Sequence, residues 1–172
     1  MIKRFLKVIV CSLVVIMSFG ISACQKNTKK NIEIKTDEGK IDVFEGKEVF
    51  EKILKEKKVD DLKYIKNGKK IELVFKESNV KEVKVKEHIL KENGGFKYPT
   101  EEEGKEVDLD IDGNNYSFLV KPNYATLLSS DGKDYDKGSI TKGYSIEYTV
   151  NATKKDFSFV IKGDAAVTNL EQ

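Results

Sequence analysis

The stretch Gly143-Tyr-Ser-Ile-Glu-Tyr-Thr-Val150, followed shortly by Phe157-Ser-Phe-Val-Ile-Lys162, decides the fold of this 172-residue chain. Large apolar side chains occupy alternate positions in both segments, a pattern that predicts two β-strands with one buried face each. The alternating residues are Tyr144, Ile146, Tyr148, Val150, Phe157, Phe159 and Ile161. Only residues 151–156, which are mostly polar, separate the two strands, so we expect an antiparallel hairpin.

Shorter segments of the same kind occur through much of the chain. Strands are predicted at 32–35, 41–44, 62–66, 71–75, 80–90, 107–111 and 116–120. Asn67-Gly68 supplies the positive φ that a tight turn needs, so the segments 62–66 and 71–75 are expected to pair as a hairpin. Apolar residues at positions 49, 50, 53 and 54 instead form one stripe on a helical surface, which predicts a helix over 48–57.

Many short strands, polar turns and one short N-terminal helix predict a mainly β fold, in the form of an antiparallel β-sandwich. Residues 69–163 resemble an immunoglobulin-like sandwich in strand number, strand length and turn spacing, although the chain has no tryptophan and so lacks the Cys…Trp…Cys set of antibody domains. The closing segment from Gly143 to Lys162 is also similar to the end of small uncharacterised lipoproteins from Gram-positive bacteria. That resemblance implies no particular activity.

The N-terminal residues have the composition of a secretory signal peptide. Lys3, Arg4 and Lys7 form a cationic head, and an apolar run over 8–21 follows it. The run is about 14 residues long, whereas a helix needs ~20 to cross a bilayer. We therefore expect residues 1–23 to direct export and then to be removed.

The sequence Ile21-Ser22-Ala23-Cys24 resembles the lipobox of bacterial lipoproteins, in which an aliphatic residue and two small residues precede an obligatory cysteine. The resemblance covers residues 1–24. It implies that the Cys24 thiol receives a diacylglyceryl group and that a lipoprotein signal peptidase cleaves before it. Two acyl chains hold a protein stably on a membrane, since each buried CH₂ contributes roughly 0.8 kcal/mol. The expected location is the extracytoplasmic face of the cell membrane.

Two alternatives for this region remain open. One is an uncleaved membrane anchor in which Cys24 is incidental. The other is a disulfide, for which Cys11 is the only possible partner. Cys11 lies inside the apolar run and would be removed with it, so the processed chain would have neither a disulfide nor a free thiol.

The processed chain is expected to be one domain with short appendages. Removal of 23 of the 172 residues leaves 149, which we divide into a flexible tether at 24–31, a helix and strand segment at 32–68, the sandwich at 69–163 and a tail at 164–172. All 29 acidic residues remain, against 28 of the 31 basic ones. Arg4 is the only arginine and is removed. A near-neutral chain without arginine or tryptophan is not expected to bind nucleic acid.

One motif could hold calcium. Asp108, Asp110 and Asp112, followed by Gly113, have the opening spacing of a calcium loop, in which alternate carboxylates converge on one ion. The twelfth position, which should be a bidentate glutamate, is Leu119. The alternative is a strand whose acids face water and which ends in an Asp-Gly turn. The run of acids at 101–103 could enrich a cation patch, although such a run is usually a solvated loop.

His88 is the only histidine of the chain. Zinc sites commonly use several His or Cys ligands, and a catalytic triad needs a histidine between a carboxylate and a nucleophile. No G-x-S-x-G motif marks such a nucleophile. We therefore expect His88 to be a surface or strand-end histidine, with no cofactor, metal or catalytic residue assigned.

Tyrosines near turns are the candidate binding residues. Tyr98, Tyr124 and Tyr135 lie beside predicted turns, where aromatic rings can supply large, rigid contact areas or can simply plug the core. The long segment 122–141 is the predicted functional loop, because loops on rigid sandwiches carry recognition.

These patterns predict a lipid-anchored surface protein whose β-domain is a non-catalytic binding module for a protein or another component of the cell envelope. Two alternatives stay open: a lipoprotein that binds a metal or small ligand, and a hydrolase of envelope material that uses His88 or paired carboxylates.

Overall fold

The computed structural model describes residues 31–99 and 103–165. The predicted signal peptide, Cys24, the tether up to residue 30, Glu101, Glu102 and residues 166–172 of the predicted tail lie outside the described residues. Among those that are described, no helix is long and apolar enough to cross a membrane.

The described chain is mainly β. Its strands are β1 (Ile32–Thr36), β2 (Gly39–Ile41), β3 (Phe44–Glu45), β4 (Lys70–Phe75), β5 (Val80–Leu90), β6 (Lys105–Glu106), β7 (Asp110–Asp112), β8 (Asn115–Leu119), β9 (Ile140–Val150) and β10 (Thr153–Gly163). Its helices are α1 (Phe50–Glu56) and α2 (Tyr124–Leu127), and 3₁₀ turns span Val59–Asp61 and Gly132–Tyr135.

Within the described ranges, the strands form two antiparallel sheets of five. Sheet A has the order β2-β1-β4-β8-β7, and sheet B has the order β3-β10-β9-β5-β6. The hairpin of β9 and β10 runs unbroken from Thr153 opposite Val150 to Gly163 opposite Ile140. This confirms the strand pair predicted from the alternating apolar residues. The prediction of a mainly β, antiparallel fold is likewise confirmed.

The two sheets pack face to face. Apolar residues of β1, β4 and β8 on sheet A meet those of β5, β9 and β10 on sheet B in one continuous core. The core residues of these strands are Ile32, Ile34, Ile71, Leu73, Phe118, Val85, Tyr144, Ile146, Tyr148, Val150, Phe157, Phe159 and Ile161. Nearly all lie at alternate positions along their strands, because successive side chains of a β-strand point to opposite faces of the sheet.

The sandwich has two distinct ends. Phe75 of sheet A contacts Tyr148 of sheet B, with 4.7 Å between ring centroids, at the end where Ile32 pairs with Phe75. Phe118 of sheet A contacts Tyr144 of sheet B at 5.3 Å towards the other end. We call these the Ile32 end and the Lys142 end. Because a strand rises about 3.3 Å per residue, the eight residues from Val150 to Lys142 separate the two ends by roughly 26 Å.

Three local expectations are corrected. Residues 62–66 are not a strand: Tyr64 makes only an isolated parallel bridge to Lys162, and β4 pairs with β1 and β8 instead. The Asn67-Gly68 turn is real, with φ of 86° at Gly68, but it does not join a hairpin. The predicted strand 41–44 is divided, because β2 ends at Ile41 in sheet A and β3 begins at Phe44 in sheet B.

The segment 32–68 contributes strands to both sheets, so the sandwich includes residues from Ile32 onwards. Its helix α1 is shorter than the predicted 48–57 and covers the outer face of sheet B. Phe50 and Ile53 of this helix pack on Leu90 and Val160 in a second apolar cluster.

The contact between α1 and sheet B requires a glycine at position 143. A Cβ there would lie 2.7 Å from Cε1 of Phe50 and 2.8 Å from Cδ1 of Leu90, closer than carbon atoms pack. We expect Gly143→Ala to reduce the free energy of unfolding by about 1–3 kcal/mol through overpacking. Urea denaturation followed by circular dichroism measures this change. Gly132→Ala is the matched control, because an added Cβ meets nothing within 4 Å there; equal stability of the two variants would contradict the prediction.

Candidate functional site

Charged and polar side chains occupy the core at the Lys142 end. In the pairing of β5 with β9, Glu87 lies opposite Tyr144 and Ile89 lies opposite Lys142. Tyr144 points into the core, so Glu87 and Lys142 lie on the same inner face of sheet B. The exposed fraction is 5% for Glu87 and 0% for Lys142. Asn123, also buried, follows β8 and approaches them from sheet A. We call Glu87, Asn123, Lys142 and Tyr144 the inner cluster.

Hydrogen bonds within the inner cluster converge on one carboxyl group. Tyr144 donates its hydroxyl to Oε2 of Glu87 at 2.7 Å, and Nζ of Lys142 donates to the same oxygen at 3.2 Å. Nδ2 of Asn123 donates to Oε1 at 3.1 Å. Nζ of Lys142 also donates to the carbonyl oxygen of Lys121. A buried carboxylate is strongly destabilising unless such partners satisfy it, so these four residues form one unit.

Burial dominates the electrostatics of the inner cluster. It lowers the pKa of the Lys142 ammonium below its usual range, and the Glu87 carboxylate opposes only part of that effect. Burial and the nearby Glu87 charge raise the pKa of the Tyr144 hydroxyl well above its usual value. Tyr144 therefore keeps its proton at neutral pH and donates to Glu87.

A small cavity of about 70 Å³ adjoins the inner cluster. Glu87, Phe118 and Tyr144 form its inner wall, while Lys105, Glu106 and Lys121 are among the residues towards the surface. Pockets for drug-sized ligands have volumes of roughly 300–1,000 Å³. This cavity is too small for such a ligand.

A structured loop, residues 122–139, covers the same end of the sandwich. We call it the end loop. Asn123 is the N-cap of α2, since its Oδ1 accepts a hydrogen bond from the backbone N–H of Ala125 at 2.9 Å. The buried Thr126 hydroxyl bonds to the carbonyl oxygens of Asn123 at 2.7 Å and Ala165 at 3.2 Å. The end loop therefore begins at the inner cluster and is tied to the strand end after β10.

Asp134 braces the second half of the end loop. Nζ of Lys97 lies 2.5 Å and 2.6 Å from its two carboxylate oxygens, and the Ser129 hydroxyl donates to Oδ2 at 2.5 Å. The Ser139 hydroxyl donates to the Asp134 carbonyl oxygen at 2.6 Å. Burial alone would raise the pKa of this carboxyl, but the bonds from Lys97 and Ser129 outweigh it and hold the pKa below its usual 3.8.

The braced end loop exposes apolar side chains. Leu128 is 87% and Tyr124 is 76% exposed, and Leu127 and Tyr135 are exposed as well. The Tyr135 hydroxyl lies 2.9 Å from the Leu127 carbonyl oxygen and 3.0 Å from that of Ser129, which holds the ring beside the leucines. Nζ of Lys105 lies 5.3 Å from the centre of the Tyr124 ring.

The three predicted binding tyrosines are thus separated by the structure. Tyr124 and Tyr135 lie exposed on the end loop. Tyr98 is half-buried against Ile89, Ile140 and Ala165, and its hydroxyl oxygen is buried. Tyr98 is therefore largely a packing residue.

The acidic series lies on the surface of sheet A. Asp108, Asp110 and Asp112 are exposed, and the strand that holds the last two ends in the predicted Asp-Gly turn. Nζ of Lys121 already pairs with Asp108 at 2.9 Å. Asp110 and Asp112 lie on the extended strand β7, roughly 6.6 Å apart, so the backbone there does not curl around one ion as a calcium loop does. Over residues 31–99 and 103–165, no group of three His, Cys, Asp or Glu side chains could hold a metal ion.

His88 is not a surface histidine. It is fully buried under α1, with its ring centroid 5.3 Å from that of Phe50 and 5.2 Å from that of Phe96. Its Nε2 lies 3.2 Å from Oγ of Ser145, but the nearest oxygen of Glu48 lies 3.9 Å from that same nitrogen. In a catalytic triad the carboxylate binds the opposite ring nitrogen. The enclosed position indicates that His88 packs, and the expectation of a surface residue is corrected.

Sequence reasoning missed Glu87, Asn123 and Lys142. The alternation along the strands could have identified two of them. Glu87 falls on the same strand face as Val85 and Ile89, and Lys142 falls on the same face as Tyr144 and Ile146. A charged residue at an inward position of a core strand needs a buried partner.

In comparisons with known proteins, no family model, no curated protein and no solved structure matches the chain.

The Asp134 brace yields a pH-dependent prediction. Asp134→Asn removes the charge that Lys97 faces, and we expect it to lower the free energy of unfolding at neutral pH by about 2 kcal/mol. A carboxyl whose folded-state pKa is depressed stabilises the fold above its unfolded pKa, and this contribution is lost as the pH falls through the folded value. The difference between the two proteins should therefore be full at neutral pH and shrink below pH 3.8.

Urea denaturation of the native protein and of Asp134→Asn at several acidic pH values tests this prediction. The other carboxyls are common to both proteins, so their effects cancel in the difference between the two free energies of unfolding. A stability difference that does not change with pH would contradict the role assigned to Asp134.

Proposed function

We propose that this chain is a bacterial lipoprotein, exported by residues 1–23 and held at the extracytoplasmic face of the cell membrane by lipid on Cys24. Its β-sandwich, which we take to be of the immunoglobulin-like type, acts as a non-catalytic binding module. The observation that supports the binding role best is the braced end loop, which exposes Tyr124, Leu127, Leu128 and Tyr135 together.

The position of the end loop favours this role. The tether from Cys24 would join the sandwich at Asn31, whose carbonyl oxygen bonds to the N–H of Lys76 at the Ile32 end. The end loop lies at the Lys142 end, roughly 26 Å further along the sheets. A chain anchored at Cys24 would thus present the loop on the side away from the Ile32 attachment, where a partner can reach it.

The chemistry of the end loop favours a protein partner. Aromatic side chains are enriched at the centres of protein interfaces, and clustered exposed apolar residues mark interaction sites. The loop carries three aspartates and two lysines, so its side-chain charge is slightly negative. Anionic envelope polymers and nucleic acids would require clustered cations instead.

The lipid anchor is tested first. The full chain is expressed in a bacterial host beside Cys24→Ser, and the intact mass of each protein is measured in the membrane fraction. We expect the native chain to begin at a lipidated Cys24 and the variant to remain unprocessed or to be released. An unlipidated native mass would contradict the proposal, since the sulfur atom is the site of the lipid thioether.

The binding surface is tested in cells with a photo-cross-linking residue in place of Leu128 in the full chain. We expect one cross-linked product with a different protein, and we expect Tyr124→Ser to abolish it because the neighbouring ring is lost. The product is identified by mass spectrometry. Ile111→Ser is the matched control, since Ile111 is an exposed apolar residue on the edge strand β7 of sheet A.

Three outcomes would contradict a protein partner at the end loop. They are a product of twice the mass of the chain, a product that contains lipid only, and a product that Ile111→Ser abolishes as fully as Tyr124→Ser.

A further inference from the structure

The inner cluster brings together the three groups that an amide-forming reaction needs. Lys142 supplies a primary amine, Asn123 supplies a carboxamide, and the Glu87 carboxyl binds both. Nδ2 of Asn123 lies 3.1 Å from Oε1, and Nζ of Lys142 lies 3.2 Å from Oε2 of the same group. Nζ also bonds to the carbonyl oxygen of Lys121, two residues before Asn123. The amine is thereby held beside the segment that carries the carboxamide.

We propose that Lys142 and Asn123 join through an intramolecular isopeptide bond between Nζ and Cγ, formed by the folded chain itself with Glu87 as the catalytic acid and base. The reaction converts a primary amine and a primary carboxamide into a secondary amide and ammonia. It is a simple acyl transfer, so it needs no oxidant, cofactor or other reactant.

The proton transfers can be followed at stated atoms. The Lys142 ammonium gives one proton to Glu87, which leaves a neutral amine and a carboxylic acid. The lone pair of Nζ attacks Cγ of Asn123, and the carbonyl electrons move to Oδ1. Glu87 gives its proton to Nδ2 and takes one from Nζ. The electrons on Oδ1 then re-form the carbonyl, the bond from Cγ to Nδ2 breaks, and ammonia leaves.

The backbone supports the electrophile. The N–H of Ala125 donates to Oδ1 of Asn123 at 2.9 Å, so the oxygen on which negative charge develops already has a hydrogen-bond donor. Such a preorganised donor stabilises the tetrahedral intermediate of acyl transfer. The same bond fixes the orientation of the carboxamide, with Nδ2 towards Glu87.

The surroundings favour a neutral, nucleophilic amine. The Tyr144 ring stacks on Phe159, with centroids 4.9 Å apart, and lies 5.3 Å from the ring of Phe118. Lys142 itself is fully buried and bonds to the same Glu87 oxygen as the Tyr144 hydroxyl, and this burial favours its uncharged form. Gly163 leaves room for the lysine stem, because a Cβ there would lie 3.2 Å from both Cδ and Cε of Lys142. Holding amine and amide together in this way removes much of the entropic barrier to their reaction.

The bond would have a structural consequence for the end loop. Asn123 follows β8 of sheet A, and Lys142 lies on β9 of sheet B, so the bond would join the two sheets covalently. It would also close the chain between residues 123 and 142 into a ring that contains nearly all of the end loop. A covalent closure of this kind limits the unfolded state and restrains the loop.

Tryptic peptides of the full chain, expressed in a bacterial host and purified from the whole culture, test the proposal directly. Trypsin cleaves after lysine but not before proline, and Lys121 precedes Pro122. Without the bond, residues 106–133 and 138–142 are released as separate peptides. With the bond, acylated Lys142 resists cleavage, and residues 106–133 stay joined to residues 138–154. We expect this branched peptide, lighter than the sum of its two parts by one ammonia molecule.

Matched variants assign the roles. Lys142→Met should remove the branched peptide, whereas Lys137→Met, which changes an exposed lysine in the end loop, should keep the ammonia loss in the intact mass. Asn123→Ser preserves a capping residue for α2 and removes the carboxamide, so it should give a folded chain without the bond. Glu87→Gln should leave Lys142 and Asn123 unreacted, with circular dichroism used to confirm that the chain is folded.

Two results would overturn the proposal. One is recovery of residues 106–133 and 138–142 as unlinked peptides from the native chain, which would show that the inner cluster is an ordinary buried ion pair. The other is an equal yield of the branched peptide from folded Glu87→Gln, which would exclude Glu87 as the acid and base. Both readouts are independent of the lipid anchor and of any partner.

Discussion

The burial of the Glu87 carboxyl between the two sheets is the interaction on which the Lys142 end depends. A carboxylate removed from water is strongly destabilising unless hydrogen bonds replace its hydration. Tyr144 and Lys142 from β9 and Asn123 from the segment after β8 supply those bonds. Because Asn123 also caps α2, the same interaction determines where the end loop begins. The core, the pairing of the sheets at this end and the placement of the exposed loop are therefore coupled.

The parts of the fold that depend on local pattern could be predicted from the sequence. Strands β9 and β10 alternate without interruption and have a short connection, so pairing them required no knowledge of the rest of the chain. The prediction that residues 62–66 form a strand paired with 71–75 was wrong for the opposite reason. Asn67-Gly68 is a strong turn signal, but β4 obtains its partners from β1 and β8, which are distant in sequence. Leu62 instead packs in the apolar cluster with α1, and Ile65 packs in the main core, although neither lies on a strand. Turn propensity alone does not determine which strands pair.

The candidate site was harder to predict, because its residues are of common types. Charged residues are 35% of the chain, so Glu87 and Lys142 do not stand out by composition, whereas a lone histidine and a regular acidic series do. Whether a charge faces inwards depends on the strand register. On β5 the register shifts between Lys81 and Lys84, where a bulge accommodates the spacing of three between Val80 and Val83. From Val85 onwards the alternation is regular, and it places Glu87 on the inner face.

The two ends of the sandwich are closed by different chemistry, and this difference bears on what each end can do. Aromatic rings of Phe75, Tyr116 and Tyr148 fill the Ile32 end, and the polar contact there, from the Tyr148 hydroxyl to the partly exposed Glu77, lies nearer the surface. Dispersion contacts are individually weak and have no donor or acceptor to match, so they specify the position of the backbone less strictly than hydrogen bonds do. Hydrogen bonds at the Lys142 end are directional, so they specify one arrangement of Asn123 and of the loop that follows. A loop held in one arrangement loses little conformational entropy when a partner binds. Exposed residues such as Leu128 can therefore contribute to binding without the cost of ordering their backbone, which is the property that a binding surface on a rigid sandwich requires.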